Sequence, residues 1–142
     1  MGEKMNSSVY VDASGFISLR LENDFNHTKA LGCAEYLVNN KIKTVTTNIA
    51  IYETVTVIAQ KVGLDEGREV LKSIRDYAME IIYVDEYLED FAIKRFMAIK
   101  SKNISLFDCV HFAVMESEGI KTVFGFDNHF EKAGFSFLSA VC

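Results

Sequence analysis

The stretch Val9-Tyr10-Val11-Asp12-Ala13-Ser14 places a carboxylate at the end of an apolar run with the composition of a buried strand. A second stretch, Thr122-Val123-Phe124-Gly125-Phe126-Asp127, repeats this arrangement near the other end of the chain. In an open parallel sheet, ligands bind outside the carboxyl ends of the strands. The two stretches therefore predict an α/β fold in which Asp12 and Asp127 lie at the same edge.

Helical and strand-like patterns alternate along the rest of the chain. Strands are predicted at 8–12, 44–46, 80–84, 121–126 and 136–138. Helices are predicted at 14–20, 27–40, 48–60, 65–79, 86–100, 105–118 and 130–133. This alternation predicts a mainly parallel central sheet with helices on both faces. Because the strands are short and some are separated by two helices, a small three-layer α/β/α sandwich fits better than a Rossmann domain.

Length and composition predict one soluble globular domain over 1–142, with residues 1–7 as a flexible N-terminal extension. The net charge of −5 argues against a general nucleic-acid coat protein. A nucleic-acid substrate stays possible if a local basic patch and metal ions supply the contacts. The basic residues Lys94, Arg95, Lys100 and Lys102 are either ordinary solvated charges or such a phosphate-contacting patch.

The cysteines and the apolar runs bear on location. Cys33, Cys109 and Cys142 are an odd number with no close pairing, which favours a reduced, cytoplasmic compartment. No apolar run approaches the ~18 residues that would span a bilayer, so no membrane association is expected. The helix at 86–100 is expected to turn five apolar residues inward: Leu88, Phe91, Ala92, Phe96 and Ile99.

Four acids stand where carboxylates have little local reason to be, yet three have a structural alternative. Asp12 could cap the helix that follows it, and Asp127 could be a turn or cap residue. Asp108 matches the capping box that begins at Ser105. Glu53 has no such alternative, because it interrupts an apolar helix where a lone carboxylate is costly unless it is paired or bound to a metal.

Taken together, the four acids predict a binding site for a hard divalent cation. A cluster of like charges is unstable unless a cation neutralises it. Mg²⁺ and Mn²⁺ take carboxylate and water oxygens, without the Cys/His set typical of zinc. Among the histidines, His111 is interpreted as a core or ligand-supporting residue, and His27 and His129 as surface residues.

Four segments resemble, in order and at ordinary spacing, the four motifs of PIN-domain ribonucleases. They are Val9-Tyr10-Val11-Asp12-Ala13-Ser14, Asn48-Ile49-Ala50-Ile51-Tyr52-Glu53, Ser105-Leu106-Phe107-Asp108-Cys109-Val110-His111 and Phe124-Gly125-Phe126-Asp127-Asn128-His129-Phe130. The likeness covers essentially the whole chain and is closest to VapC-like toxins. One departure is Gly125, where the family often has Thr or Ser.

The resemblance implies a PIN-like α/β/α sandwich and a Mg²⁺- or Mn²⁺-dependent endoribonuclease. Asp12, Glu53, Asp108 and Asp127 would be the catalytic metal ligands, and Ser14 would support the geometry of these ligands through a hydrogen bond. It also implies an RNA substrate such as tRNA or rRNA, a cognate antitoxin and a homodimer. Three alternatives stay open: a PIN-fold nuclease of RNA processing that is not a toxin, a non-catalytic PIN-like binding module, and four independent helix caps.

Overall fold

The computed structural model describes residues 8–142, so the predicted flexible extension at 1–7 lies outside the described residues. Within them, five short strands form one sheet: β1 (Val9–Val11), β2 (Thr44–Thr47), β3 (Glu80–Ile82), β4 (Thr122–Phe124) and β5 (Ser136–Phe137). The strand order is β3-β2-β1-β4-β5, and every pairing is parallel. The predicted parallel α/β architecture is confirmed.

Each predicted helix is present, within a few residues of its expected bounds. The helices are α1 (Ala13–Arg20), α2 (His27–Asn39), α3 (Asn48–Lys61), α4 (Leu64–Asp76), α5 (Glu86–Ala98), α6 (Leu106–Glu118) and α7 (Asn128–Lys132), followed by a 3₁₀ turn (Leu138–Ala140). Side-chain caps explain where five of them begin: Asp12, Thr47, Asp85, Ser105 and Asp127 each accept a bond from a first-turn amide.

The central strand divides the core between the two faces of the sheet. Val9 and Val11 pack on one side with residues of α1 to α4, such as Phe16 and Ile58. Tyr10 points to the other side and packs with residues of α5, α6 and α7. This alternation is the period of two that a strand buried on both faces requires. The result is the predicted three-layer α/β/α sandwich.

Two strands end two residues earlier than their sequence predicts, and side chains at the carboxyl edge bond to the backbone just beyond each end. β3 ends at Ile82, not Val84, since the Val84 amide donates to Asn48 Oδ1 at 2.9 Å. β4 ends at Phe124, not Phe126, and the Phe126 amide donates to Ser14 Oγ at 2.9 Å. Side-chain acceptors replace ladder partners at these positions, so the chain turns out of the sheet.

The prediction that α5 buries five apolar side chains is wrong in part. Leu88 and Ala92 are buried, but Phe91 is 45% and Phe96 40% exposed. The buried pair lies on the face that α5 packs against α6, where Ala92 joins Cys109 and Ala113. The other apolar side chains of α5 lie beyond this narrow contact.

The structure pairs two of the three cysteines, which does not fit the reduced compartment that their number and spacing favoured. Cys33 and Cys142 form a disulfide across 109 residues of sequence, while Cys109 is free and buried. The pairing arises because the chain end follows the 3₁₀ turn, which packs against α2. The cytoplasmic location therefore loses the support of unpaired cysteines and stays a prediction.

Within residues 8–142, no helix combines the length and apolarity needed to cross a membrane.

Candidate active site

The four predicted acids lie at or just beyond the carboxyl ends of the strands. Asp12 directly follows β1 and caps α1, while Asp127 caps α7 after β4. Glu53 lies in the second turn of α3, which begins directly after β2, and Asp108 lies in the first turn of α6. The structure arranges these acids as two groups, each of which contains a histidine.

The first group consists of Asp12, Glu53 and His111, whose ligand atoms lie within 4.8 Å of one another. The imidazole Nε2 of His111 is 2.7 Å from Glu53 Oε1 and 3.5 Å from Asp12 Oδ1. Asp12 and His111 are buried, whereas the Glu53 side chain is 29% exposed. This exposure gives a ligand access to the group from solvent.

The second group consists of Asp108, Asp127 and His129, again within 4.8 Å. His129 Nδ1 lies 2.9 Å from Asp108 Oδ2 and 3.2 Å from Asp127 Oδ1. All three side chains are partly accessible, with 13%, 39% and 25% exposure for Asp108, Asp127 and His129. A bound ligand would therefore meet this group at the surface.

The two groups influence one another because α6 carries a member of each. Asp108 and His111 are three residues apart on this helix and so lie on one face. Burial alone would lower the pKa of His111. The hydrogen bond to Glu53 and the charges of Asp12, Glu53 and Asp108 outweigh burial, and the pKa of His111 is raised above its usual value. Acids of both groups thus raise the pKa of the His111 imidazole.

Within residues 8–142, each acid accepts hydrogen bonds at only one of its two carboxylate oxygens, although Asp12 Oδ1 also lies 3.5 Å from His111 Nε2. Asp12 Oδ2 accepts from the Ser14 amide and hydroxyl, Asp108 Oδ2 from Ser105 and His129, and Asp127 Oδ1 from the His129 amide.

Among residues 8–142, no hydrogen-bond donor reaches Glu53 Oε2, Asp108 Oδ1 or Asp127 Oδ2. The caps predicted as structural alternatives are therefore present, and they orient the carboxylates without using up their acceptor capacity. Several such oxygens at short range form a donor set that suits a hard divalent cation.

Gly125 allows Asp12 and Ser14 to sit where they do. A Cβ at Gly125 would lie 3.0 Å from Ser14 Oγ and 3.1 Å from Asp12 Cβ. Ser14 Oγ donates to Asp12 Oδ2 at 2.9 Å and accepts from the Phe126 amide at 2.9 Å. The absence of a side chain at Gly125 thus leaves room for the Ser14 hydroxyl between Asp12 and the Phe126 amide.

A buried hydrogen-bond chain supports Glu53. His111 Nδ1 lies 2.6 Å from the Tyr10 hydroxyl, which lies 2.9 Å from Thr47 Oγ1. Thr47 in turn accepts from the Ala50 amide and caps α3, the helix that carries Glu53. With the imidazole neutral, every hydrogen is paired when Thr47 donates to Tyr10, Tyr10 to His111, and His111 to Glu53. The chain thereby fixes the carboxylate relative to its own helix.

Sequence reasoning undervalued the histidines. The interpretation of His111 as a core or ligand-supporting residue agrees with its burial and its bond to Glu53. His129 is partly exposed near the start of α7, as interpreted, but that interpretation did not include the bond between its ring and Asp108. A signal existed in the Asp127-Asn128-His129 segment: the residue two places after an N-cap acid donates its amide back to that acid, which brings its side chain close.

The comparisons with known proteins agree with this geometry. The family described as the PIN domain matches residues 9–136. The chain belongs to the PIN-domain family. The PIN domain is 27% identical over 128 residues to the 23S rRNA-specific endonuclease VapC20 of Mycobacterium tuberculosis, in both strain CDC 1551 / Oshkosh and strain ATCC 25618 / H37Rv. Each alignment covers 89% of this chain and 95% of the relative.

A solved structure resembles the PIN domain over the same extent. The crystal structure of Mycobacterium tuberculosis VapC20, described as a sarcin-ricin loop cleaving toxin, matches with a TM-score of 0.79 at 25% identity. The match covers 89% of this chain and 95% of that one. The resemblance to VapC-like PIN-domain ribonucleases that the four motifs predicted is confirmed.

Proposed function

We propose that this PIN domain is a divalent-metal-dependent endoribonuclease that hydrolyses RNA phosphodiester bonds and acts as the toxin of a toxin–antitoxin pair. The observation that carries the proposal is that Asp12 and Glu53 form one compact group, and Asp108 and Asp127 a second one, near the carboxyl ends of the strands. Similarity to VapC20, an rRNA-specific endonuclease, supports the substrate class. In this proposal the single domain extends over 1–142.

The metal in this proposal is Mg²⁺ or Mn²⁺, held by Asp12, Glu53, Asp108 and Asp127. When bound, such an ion lowers the pKa of water and offsets charge on the attacking and leaving oxygens of a phosphodiester. A cation would also relieve the repulsion between carboxylates that the fold holds together. The oxygens without protein donors are the natural contacts for it.

The surrounding residues hold these acids in a productive geometry. Ser14 fixes the rotamer of Asp12 through its amide and hydroxyl. His111 holds Glu53 Oε1, which leaves Oε2 as the free ligand atom. His129 bridges Asp108 and Asp127 and so holds the two carboxylates close together. Such supporting bonds restrict ligand motion and preserve metal affinity.

The partners in this proposal are an RNA of the rRNA or tRNA class, an antitoxin protein and a second copy of the chain. RNA as substrate is consistent with a cytoplasmic location. Exposed apolar side chains on α5, among them Tyr87 at 66% and Met97 at 78%, give a homodimer a surface to bury.

Gel filtration of the wild type and of a Phe91→Glu variant tests the homodimer. A dimer that uses α5 becomes monomeric in the variant.

The activity is tested with purified protein on rRNA and tRNA in Mn²⁺, followed by mapping of the cut ends. The expected products carry a 5′-phosphate and a 3′-hydroxyl. Induced expression in a bacterial host then separates the roles, since a toxin arrests growth and its Asp108→Asn variant does not. Cleavage without growth arrest would favour an RNA-processing nuclease, and RNA binding without cleavage would favour a non-catalytic module.

Calorimetry with Mn²⁺ tests the metal site separately. Binding by the wild type that is weakened in Glu53→Gln supports a converged site. The matched control is Glu89→Gln, which removes the same charge from an exposed position on α5. Bound Mn²⁺ should also raise the melting temperature of the wild type, because it binds only the native state. No binding by any form would leave the acids as independent caps.

A further inference from the structure

A groove of about 290 Å³ opens beside the second acid group, between the end of α5, the connection that follows it, and α7. Its floor is apolar and includes Ile99 and Ile104, both half-buried, above the buried ring of Phe112. Its rim is polar and basic. The volume is near the lower end of small-molecule pockets, which begin at ~300 Å³.

His129 belongs both to this groove and to the second acid group. Its Nδ1 bonds to Asp108, while the ring also lines the groove. The groove and the acids therefore share a wall. A polymer bound at the acids by one phosphodiester would have its next unit directed along this wall.

Two lysines on the rim carry charge that the protein does not neutralise. Lys100 and Lys132 are exposed, and neither forms a salt bridge within residues 8–142. Arg95, by contrast, pairs with Glu116 and stacks over Phe112 at 5.1 Å. Arg95 thus forms a fixed wall, and the two lysines supply the free positive charge.

The structure also divides the basic residues that the sequence grouped together. Of Lys94, Arg95, Lys100 and Lys102, only Arg95 and Lys100 line the groove, where Lys132 of α7 joins them. Lys94 and Lys102 are also exposed but do not line the groove. The pair Lys100 and Lys132 lines the groove, whereas the pair Lys94 and Lys102, with the same formal charge, does not.

We propose that this groove binds a nucleotide of the substrate RNA next to the scissile phosphodiester. Lys100 and Lys132 contact its backbone phosphate, and the floor at Ile99 and Ile104 receives its base. The occupant follows from charge and shape: an anionic group suits two unpaired lysines, and a flat apolar ring suits the floor. The inference rests on the proposed function, because it places the nucleotide relative to the acid groups.

The test compares two double variants, Lys100→Gln with Lys132→Gln, and Lys94→Gln with Lys102→Gln. Binding of a labelled single-stranded RNA oligonucleotide is measured by fluorescence anisotropy in EDTA over a series of salt concentrations. Each phosphate contact on a single strand contributes ~0.7 to the slope of log K against log salt. Because both lysines contact one phosphate, the groove pair should lower the slope by about 0.7 and weaken binding roughly tenfold. The control pair should stay within about twofold of the wild type.

Steady-state cleavage in Mn²⁺ gives a second readout. The groove pair should raise KM with little change in kcat, because it loses substrate binding and retains the acids. Equal effects of the two pairs would mean general electrostatic attraction and would overturn the groove assignment, as would no effect of the groove pair. In both cases cleavage by the wild type would leave the nuclease proposal intact. A wild type that neither binds nor cleaves RNA would overturn both.

Discussion

His111 donates from Nε2 to Glu53 Oε1 at 2.7 Å while Tyr10 lies against its Nδ1 at 2.6 Å. Both ring nitrogens thus form hydrogen bonds, and the imidazole connects Tyr10 of β1 to the candidate metal ligand Glu53. Because His111 is 2% exposed, no water replaces these bonds easily. The relationship gives His111 a positioning role, which differs from a role in packing alone.

The variant His111→Ala should lose most of its activity while still binding RNA. Removal of a residue that orients a ligand typically costs ~10–100-fold in metal affinity or activity. We expect kcat and the affinity for Mn²⁺ to decrease by about 10–100-fold, while the KM for RNA changes little. His111→Gln, whose amide can still donate to Glu53, should recover part of the loss. If both variants lose only thermal stability and keep Mn²⁺ affinity, the histidine is a packing residue.

Replacement of Gly125 should disturb Asp12. In Gly125→Ala the new methyl group would lie 3.1 Å from Asp12 Cβ and 3.0 Å from the bonded hydroxyl of Ser14, so one of them must shift. We expect roughly tenfold weaker Mn²⁺ binding, as for loss of other ligand-supporting contacts. Gly32→Ala is the matched control, because no heavy atom lies within 4 Å of its added methyl group.

In the middle of α2, Gly32→Ala should stabilise the fold by about 0.5–1 kcal/mol, because alanine loses less backbone entropy in a helix. Urea unfolding and Mn²⁺ calorimetry on both variants separate the effects. Unchanged Mn²⁺ affinity in Gly125→Ala would show that Asp12 does not depend on this close approach.

Reduction of the disulfide should lower stability without abolishing the fold. Cys33 and Cys142 are 109 positions apart in the sequence, and a disulfide typically contributes about 2–4 kcal/mol. Thermal melting with and without dithiothreitol measures the difference. Cys142→Ser should melt like the reduced wild type and should not respond to dithiothreitol. A melting temperature of the wild type that is insensitive to dithiothreitol would argue that the bond does not form in solution.

Alkaline pH should destabilise the fold through Tyr10. Burial, together with the charges of Asp12 and Glu53, outweighs the bond to Thr47 and holds the pKa of Tyr10 well above its usual value of 10.0. The folded-state pKa is raised, so the stability from this group is complete below pH 10 and is lost progressively above it. The loss approaches ~1.4 kcal/mol per pH unit in that window. Urea unfolding of Tyr10→Phe should show a shallower dependence on pH there; an equal dependence would exclude Tyr10 as its source.

The sequence predicts the layers of the fold because its signals there are local. Alternation along Val9, Tyr10 and Val11 and caps such as Ser105 depend on near neighbours, and both appear in the structure as expected. The partners of His129 and Cys33 depend on chain segments that meet only in the folded protein. Local patterns also do not say how wide a helix contact is, which is why Phe91 was expected to be buried and is not.

The arrangement of the acids also depends on contacts that local sequence patterns do not show. The capping interpretation of Asp12 and Asp108 and the ligand interpretation are geometrically compatible, since a cap uses one carboxylate oxygen. No local pattern could reveal that the acids would divide into two groups, each joined to a histidine. That division depends on how α3, α6 and α7 meet at the edge of the sheet.

The measurement that tests the account most directly is cleavage of RNA by the purified wild type in Mn²⁺ and in EDTA, with Asp108→Asn in parallel. Asp90→Asn is the matched control, because it removes the same charge from an exposed position on α5. The account predicts cutting in Mn²⁺ by the wild type and by Asp90→Asn, and none in EDTA or by Asp108→Asn. Cutting that persists in EDTA or in Asp108→Asn would contradict a metal-dependent nuclease built on these acids.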